Sequence, residues 1–384
     1  MKKNILIINS SHQKIPAFAN VLEELSARGH KLSLISTASH LKDFFSYKGW
    51  RSTRMFLPKL GGGKIKSFFF AAAYPGLLLY YLSHFYRFVK KNSVDTLICL
   101  HLFEKLIFTP LAKMLKLKVI WIEWPETDYK KLPPLYKFLE KRISRDIDLI
   151  IFSQLTAHKL SLLGFKDARV TLVKPFIKQS QLLRQDTIFD KIARDESGQF
   201  HKKYFTLGTI LNLDKKQNLE ILFHAVKTSL AVVPNLQLIV IGEGEEKKNL
   251  SWLAKKMQID NLVWFIGEQA HTAKWLTSFD IFIATTENPD LEDMSAILSA
   301  MSCGLPVIGP RDMGLEDFIT EDRTGALVEM NNSETLARQI IKLHQNGTLR
   351  AQIGKNGKEL VDNAHTLDKI VGKFEEMIIS QASA

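Results

Sequence analysis

The chain has 384 residues, 46% of them apolar, which excludes a disordered polypeptide and a single small core and calls for two domains. Its net charge of +12 is unevenly placed: residues 1–180 hold 30 Lys and Arg against 12 Asp and Glu, leaving 22 against 28 for the remainder. A first half at +18 suits an anionic membrane surface or a phosphorylated acceptor, and nucleic acid is the least favoured partner because no RNA-recognition, finger or helix-turn-helix signature accompanies the charge.

The opening MKKNILIINSS is too short in its apolar run for a signal peptide, so Ile5 to Ile8 reads as a buried first strand. A polar loop from Asn9 to Lys14, a helix ending at ARGH and an alternating strand Lys31 to Ser36 follow. This is the β-loop-α-β start of a doubly wound sheet, in which ligands sit beyond the C-terminal strand ends. Asn9 and Ser10 are therefore candidate site residues. Residues 47–66 are basic and glycine-rich and read as a mobile loop. Ser67 to Lys91 is the most apolar stretch, with Pro75-Gly76 in the middle and a charge-free run too short to span a bilayer. Two readings stay open for it, a buried helix pair and an interfacial membrane-binding element.

Strands are expected at Asp95 to Leu100, Lys118 to Ile122, Leu149 to Ser153 and Arg169 to Val173, with helices between them. WIEWPETDY places Glu123 and Trp124 at a strand end, where a carboxylate can orient an acceptor hydroxyl or an indole can stack on a sugar ring; the plainer reading is a capping Glu and a core Trp. His12 and His101 also fall at strand ends and read as hydrogen-bonded structural residues. Cys99 and Cys303 lie in apolar runs and read as free thiols. Residues 175–203 lack a period and read as a linker.

A second α/β run begins at Phe205. It culminates in Thr286 to Gly309, TENPDLEDMSAILSAMSCGLPVIG, read as a loop, a helix from Ser295 to Cys303 with Ser295 as N-cap, a Gly304 stop and a strand. The first turn of such a helix leaves N–H groups that suit an anion.

From Phe205 onward the wording resembles a known family. GTILNLDKKQNLEILFHAV, PNLQLIVIGEGEEKKNL, NLVWFIGEQ, FDIFIATTEN and LSAMSCGLPVIG resemble the C-terminal domain of retaining glycosyltransferases of GT-B fold, family 4. The resemblance implies an α/β fold of two Rossmann-like doubly wound domains facing a cleft. The domains are 1–178 on the acceptor side, a linker 179–203 and 204–361 on the donor side, with 362–384 ending in a helix that packs back on the N-terminal domain.

The resemblance also implies transfer of a sugar, with retention, from a UDP- or GDP-sugar to a glycan or lipid-linked acceptor, with no cofactor or metal required. It implies a cytoplasmic protein, peripheral at the inner membrane face, with a partner glycosyltransferase subunit as a further possibility. The family's diphosphate-binding Arg and Lys fall, in the frame set by Gly208, on Asn212 and Gln217, with Lys216 beside them as a substitute. Its paired glutamates fall near Glu292 and on Ser299, and its helix-start donors on Met294 and Ser295. Glu123 and Glu292 are the candidate catalytic carboxylates. These substitutions keep a second class open: a catalytically silent relative, a subunit or glycan-binding module that has lost donor binding.

Overall fold

The computed structural model describes residues 2–11, 16–58, 60, 64–125, 127, 129, 132–165, 169–177, 204–214, 217–269, 271–286, 289–311 and 313–380. The chain divides into two compact units, Met1–Lys174 with Asp368–Ala384, and Pro175–Leu367. The expected linker 179–203 lies outside the described residues.

Unit 1 is built on a parallel seven-stranded sheet of order β3-β2-β1-β4-β5-β6-β7. Its strands are β1 (Asn4–Asn9), β2 (Lys31–Ser36), β3 (Arg51–Arg54), β4 (Thr96–Cys99), β5 (Lys118–Glu123), β6 (Asp148–Ile151) and β7 (Arg169–Leu172). Apolar runs such as Ile5 to Ile8 and Leu97 to Leu100 are buried because helices cover both faces of a parallel sheet. The strand order reverses between β1 and β4, so a crevice is expected beyond Asn9 and Cys99.

The helices of this unit are α1 (Pro16–Ala27), α2 (Ser39–Tyr47), α3 (Lys64–Asn92), α4 (Leu102–Met114), α5 (Pro134–Ile143) and α6 (Gln154–Leu162). Two sequence expectations are corrected here. Residues 67–91 lie within one 29-residue helix, Lys64–Asn92, with Pro75 inside it, and do not form a pair. Pro75 is exposed, so the hydrogen bond its missing N–H forfeits lies on the water-facing side of the helix rather than in the core. No helix among the described residues is long and apolar enough to cross a membrane. The stretch read as a loop at 47–66 contains edge strand β3, whose Arg-Ser-Thr-Arg has no apolar alternation to betray it.

Unit 2 repeats the plan with a parallel six-stranded sheet of order β10-β9-β8-β11-β12-β13, reversing between β8 and β11. The strands are β8 (Phe205–Ile210), β9 (Leu236–Ile241), β10 (Val263–Gly267), β11 (Ile281–Ile283), β12 (Val307–Pro310) and β13 (Ala326–Val328). Its helices are α7 (Leu219–Ser229), α8 (Lys247–Lys256), α9 (Ala273–Leu276), α10 (Leu291–Ser302), α11 (Met313–Glu316), α12 (Ser333–Gln345) and α13 (Gly347–Ala364).

The helix expected from Ser295 starts four residues earlier. Asp290 is its N-cap, and Ser295 lies inside the second turn. The physical reason is a capping box: the Asp290 carboxylate accepts from the backbone N–H groups of Glu292 and Asp293, and the Asp293 carboxylate accepts from the Asp290 N–H. Gly304 takes φ +80 just past the end of α10, the left-handed stop that glycine permits. Helix α14 (Leu367–Ile379) closes the chain. From Asp368 on it belongs to unit 1, where Arg28 bonds Glu375 at 3.0 Å, His30 meets Glu375 at 3.1 Å and Phe374 packs on Phe18.

Candidate functional site

The strand reversal of unit 1 opens a cavity of about 220 Å³ whose lining includes Ser10, His101, Lys105, Glu123, Trp124 and Glu140. Parallel-strand geometry delivers these groups: Ser10 follows β1, His101 follows β4, Glu123 ends β5 and Trp124 follows it. Helices α4 and α5 add Lys105 and Glu140.

Glu123 is fully buried and held from two sides, by Lys105 Nζ at 2.5 Å and by the Tyr129 hydroxyl, which donates to its other oxygen. Both oxygens of this carboxylate thus have a donor. Trp124 is 6% exposed, donates its Nε1–H to the Leu100 carbonyl at 2.9 Å and stacks on Phe152. The core role expected as the plainer reading therefore describes Trp124 well. Asn9 and Ser10 are also buried: Asn9 donates to Ser11 O at 2.7 Å, while Ser10 donates its N–H and its hydroxyl to Glu104 at 3.0 and 2.6 Å. His12 and the expected loop residues 12–14 lie outside the described residues.

Sequence reasoning missed Glu104, Lys105, Tyr129 and Glu140. A signal existed for the first two, because adjacent Glu and Lys interrupt the otherwise apolar LFEKLIF and both are buried. Burial pushes the Glu104 carboxyl up to about 7 against the Ser10 hydrogen bonds. Burial and then the Glu123 charge push Glu140 up to about 8, against the pull of Lys105, and one Glu140 oxygen has no hydrogen-bond partner among the described residues. Both acids hold protons in the folded state that the unfolded chain releases above about 4.5. The unfolded chain then binds fewer protons, so the two groups make stability fall as pH rises from about 4.5 to about 8. Glu140→Gln, which keeps the shape and cannot ionise, should flatten that fall in melting temperature; an unchanged slope between pH 5 and 8 would show that Glu140 does not titrate there.

In unit 2 the candidate residues gather at the reversal between β8 and β11. Gly208 lies in the middle of β8, and a Cβ there would come within 2.0 Å of the Phe279 ring, so this glycine serves packing. Asn212 is exposed beyond the strand end, with its carbonyl accepting from the Asp214 N–H at 2.9 Å. Gln217 is buried; its carbonyl accepts from the Thr286 hydroxyl and its side chain hydrogen-bonds Asp293. Lys216 lies outside the described residues.

On α10, Glu292 sits half-buried in the first turn. The Met294 N–H is already bonded to Asp290 O at 3.0 Å, and Ser295 follows it within the helix, so neither presents a helix-start donor as expected. The cause is the early start of α10 described above. Ser299 turns its hydroxyl back onto the Ser295 carbonyl at 2.7 Å. Asp290, Asp293 and Asp214 make the helix start electronegative, and burial together with the Asp290 and Asp214 charges pushes Asp293 up to about 7. The first-turn N–H groups that suit an external anion are therefore taken by Asp290. The spacing Asp290-x-x-Asp293 was the available signal for this cap. Among the described residues no cluster of three or more His, Cys, Asp or Glu side chains suits a metal ion.

Two doubly wound parallel sheets, each with a reversal of strand order, define a two-unit Rossmann-like α/β protein. Residues 190–360 match the family described as Glycosyl transferases group 1. The chain is similar to the lipopolysaccharide core biosynthesis glycosyltransferase LpsE of Rhizobium meliloti, 26% identical over 159 residues, 41% of this chain and 46% of that protein. It is also similar to the N-acetyl-alpha-D-glucosaminyl L-malate synthase of Bacillus anthracis, 30% identical over 139 residues and 36% of each chain. The matched stretch thus spans less than half the length of either curated relative. In fold, the chain resembles Anabaena Alr3699/HepE in complex with UDP, with a TM-score of 0.81 at 13% identity over 98% of this chain and 99% of that one. WaaG, a glycosyltransferase involved in lipopolysaccharide biosynthesis, gives 0.67 at 14% over 98% and 100%. Residues 190–360, most of the second unit, thus match the group 1 glycosyltransferases, and the fold is GT-B.

Proposed function

We propose that the protein transfers a sugar from a nucleotide-sugar, a UDP- or GDP-sugar, to a glycan or lipid-linked acceptor of cell-surface polysaccharide biosynthesis, with retention of configuration. The observation that carries this reading is the group 1 glycosyltransferase domain over residues 190–360. In support, relatives named for lipopolysaccharide core and capsular polysaccharide biosynthesis match the chain, and the fold is shared with a protein bound to UDP. The nucleotide would lie against unit 2 at the β8–β11 reversal, with Asn212 facing the diphosphate and Glu292 accepting hydrogen bonds from the donor sugar, while Gln217 stays bonded to Thr286 and Asp293 beneath them. Such interactions accelerate transfer only insofar as they tighten on the developing charge of the transition state.

The test is release of nucleotide from UDP- and GDP-sugars incubated with the protein, using water as the acceptor, with the anomer first formed read by NMR. Release from one donor, with the anomer first formed keeping that donor's configuration, is expected. Glu292→Ala should then lower the rate about ten- to a hundredfold, the range for one hydrogen bond to a charged group. Unchanged release would remove Glu292 from the site.

The Asp290–Asp293 capping box favours a second reading, a silent subunit or glycan-binding module, because a helix start satisfied by its own carboxylate no longer awaits a phosphate. Absence of release from every donor, with glycan binding intact, would establish that reading.

A further inference from the structure

Between Asp43 and Asp95 the sequence contains no acidic residue and nine cations: Lys48, Arg51, Arg54, Lys59, Lys64, Lys66, Arg87, Lys90 and Lys91. Helix α3 occupies most of this segment and, at 1.5 Å per residue, runs for about 43 Å. Its two faces differ sharply. Phe70, Tyr81, Phe85 and Val89 repeat at helical spacing and are buried in the core of unit 1. On the opposite face Phe69, Gly76, Tyr80 and Arg87 fall on one line, at intervals of seven, four and seven residues, flanked by Leu79 and Tyr86.

That outer face is apolar where a soluble surface is ordinarily charged. Phe69 is 66% exposed, Leu79 72% and Tyr80 61%. No charged residue occurs from Ser67 to Tyr86, and the cations begin at Arg87. Strand β3 and the residues just after it continue the pattern: Arg51 of β3 bonds Asn92 at the basic end of the helix, the Tyr81 hydroxyl donates to the Phe56 carbonyl, and Phe56 is 74% exposed. Lys90 lies 5.8 Å from the Tyr86 ring centroid, an amphipathic pair with its charge at the rim. Lys48 is the exception, since it pairs with Glu23 at 2.8 Å.

Aliphatic and aromatic side chains along one face of a helix, with cations at its margin, match the interface of a bilayer, where apolar groups enter the headgroup boundary and cations meet anionic lipid. We propose that the outer face of α3, with Phe56, Arg51 and Arg54, docks in the plane of an anionic lipid surface. The charge complementarity selects this occupant: a second copy of the chain would set two acid-free, cation-bearing surfaces against each other. The inference is independent of the transferase reading.

The test is flotation of the full chain with vesicles of phosphatidylglycerol and phosphatidylcholine, and with phosphatidylcholine alone. Binding to the anionic vesicles, weakened by salt, is expected. Each cation near the surface contributes about fivefold, so the triple variant Arg87→Gln, Lys90→Gln, Lys91→Gln should lower partitioning about a hundredfold. Leu79→Ser with Tyr80→Ser, at exposed positions that leave the core intact, should also release the protein, with circular dichroism confirming the fold. Equal binding to both vesicle types, no binding to either, or variants that float like the wild type would overturn the proposal. So would a dimer in light scattering that dissociates on Leu79→Ser, which would assign the face to a second copy, or salt-sensitive DNA binding with no vesicle binding.

Discussion

Lys105→Met is expected to destabilise the protein by about 3–5 kcal/mol, the range for removing one partner of a buried ion pair. Lys105 is 3% exposed and Glu123 fully buried, and the 2.5 Å contact between them is the cation's only short ionic contact among the described residues. Without the ammonium, Glu123 is left as a buried anion beside Glu140, whose proton already reflects crowding by that charge. The Tyr129 hydroxyl still donates to Glu123 but supplies no charge. Much of the penalty should be recovered in the double variant Lys105→Met, Glu123→Gln, because the orphan charge goes with its partner. Urea unfolding of the wild type, the two single variants Lys105→Met and Glu123→Gln, and the double variant measures this. A double variant as unstable as the sum of its parts would mean that the pair is not coupled.

Gly354→Ala is expected to destabilise unit 2 by about 3 kcal/mol, at the upper end for overpacking. In an unconstrained helix the same change gains up to about 1 kcal/mol, because glycine is the weaker helix former. Gly354 lies on α13, where a Cβ would stand 2.0 Å from the Gly304 carbonyl oxygen, in the turn that ends α10. Backbone rather than a flexible side chain would have to move, and the displaced turn carries the C-terminal end of the helix that begins with Asp290 and Glu292. Gly372, on α14, provides the control: nothing lies within 4 Å of its built Cβ. Gly354→Ala should lower the melting temperature and Gly372→Ala should hold or raise it. Shifts of the same sign would show that the contact with Gly304 does not govern position 354.

The regular elements were legible wherever apolar runs were closed by turn residues. The strand Lys31 to Ser36 has the bounds read from the sequence, because its apolar Leu32, Leu34 and Ile35 end abruptly at Lys31 on one side and Ser36 on the other. β3 was not legible, since an edge strand of four polar residues has no core face to pattern. The α3 helix was read as broken because proline forbids an internal hydrogen bond, a rule that relaxes on a water-facing side. At the site, the spacing of Asn212, Gln217, Glu292 and Ser299 was readable from family resemblance. The early start of α10 was not, because it depends on which of several acids caps the helix. The Lys105, Glu123, Tyr129 and Glu140 cluster comes from four separate segments, and only folding brings such residues together.

The most direct measurement is calorimetric titration of the full chain with UDP, GDP and ADP. The account predicts saturable one-site binding of UDP or GDP and not of ADP, tightened about fivefold in Asp290→Ala, which frees two first-turn N–H groups and removes a negative charge from the helix start. No binding of any nucleotide at millimolar concentration, in the wild type and in Asp290→Ala alike, would contradict it.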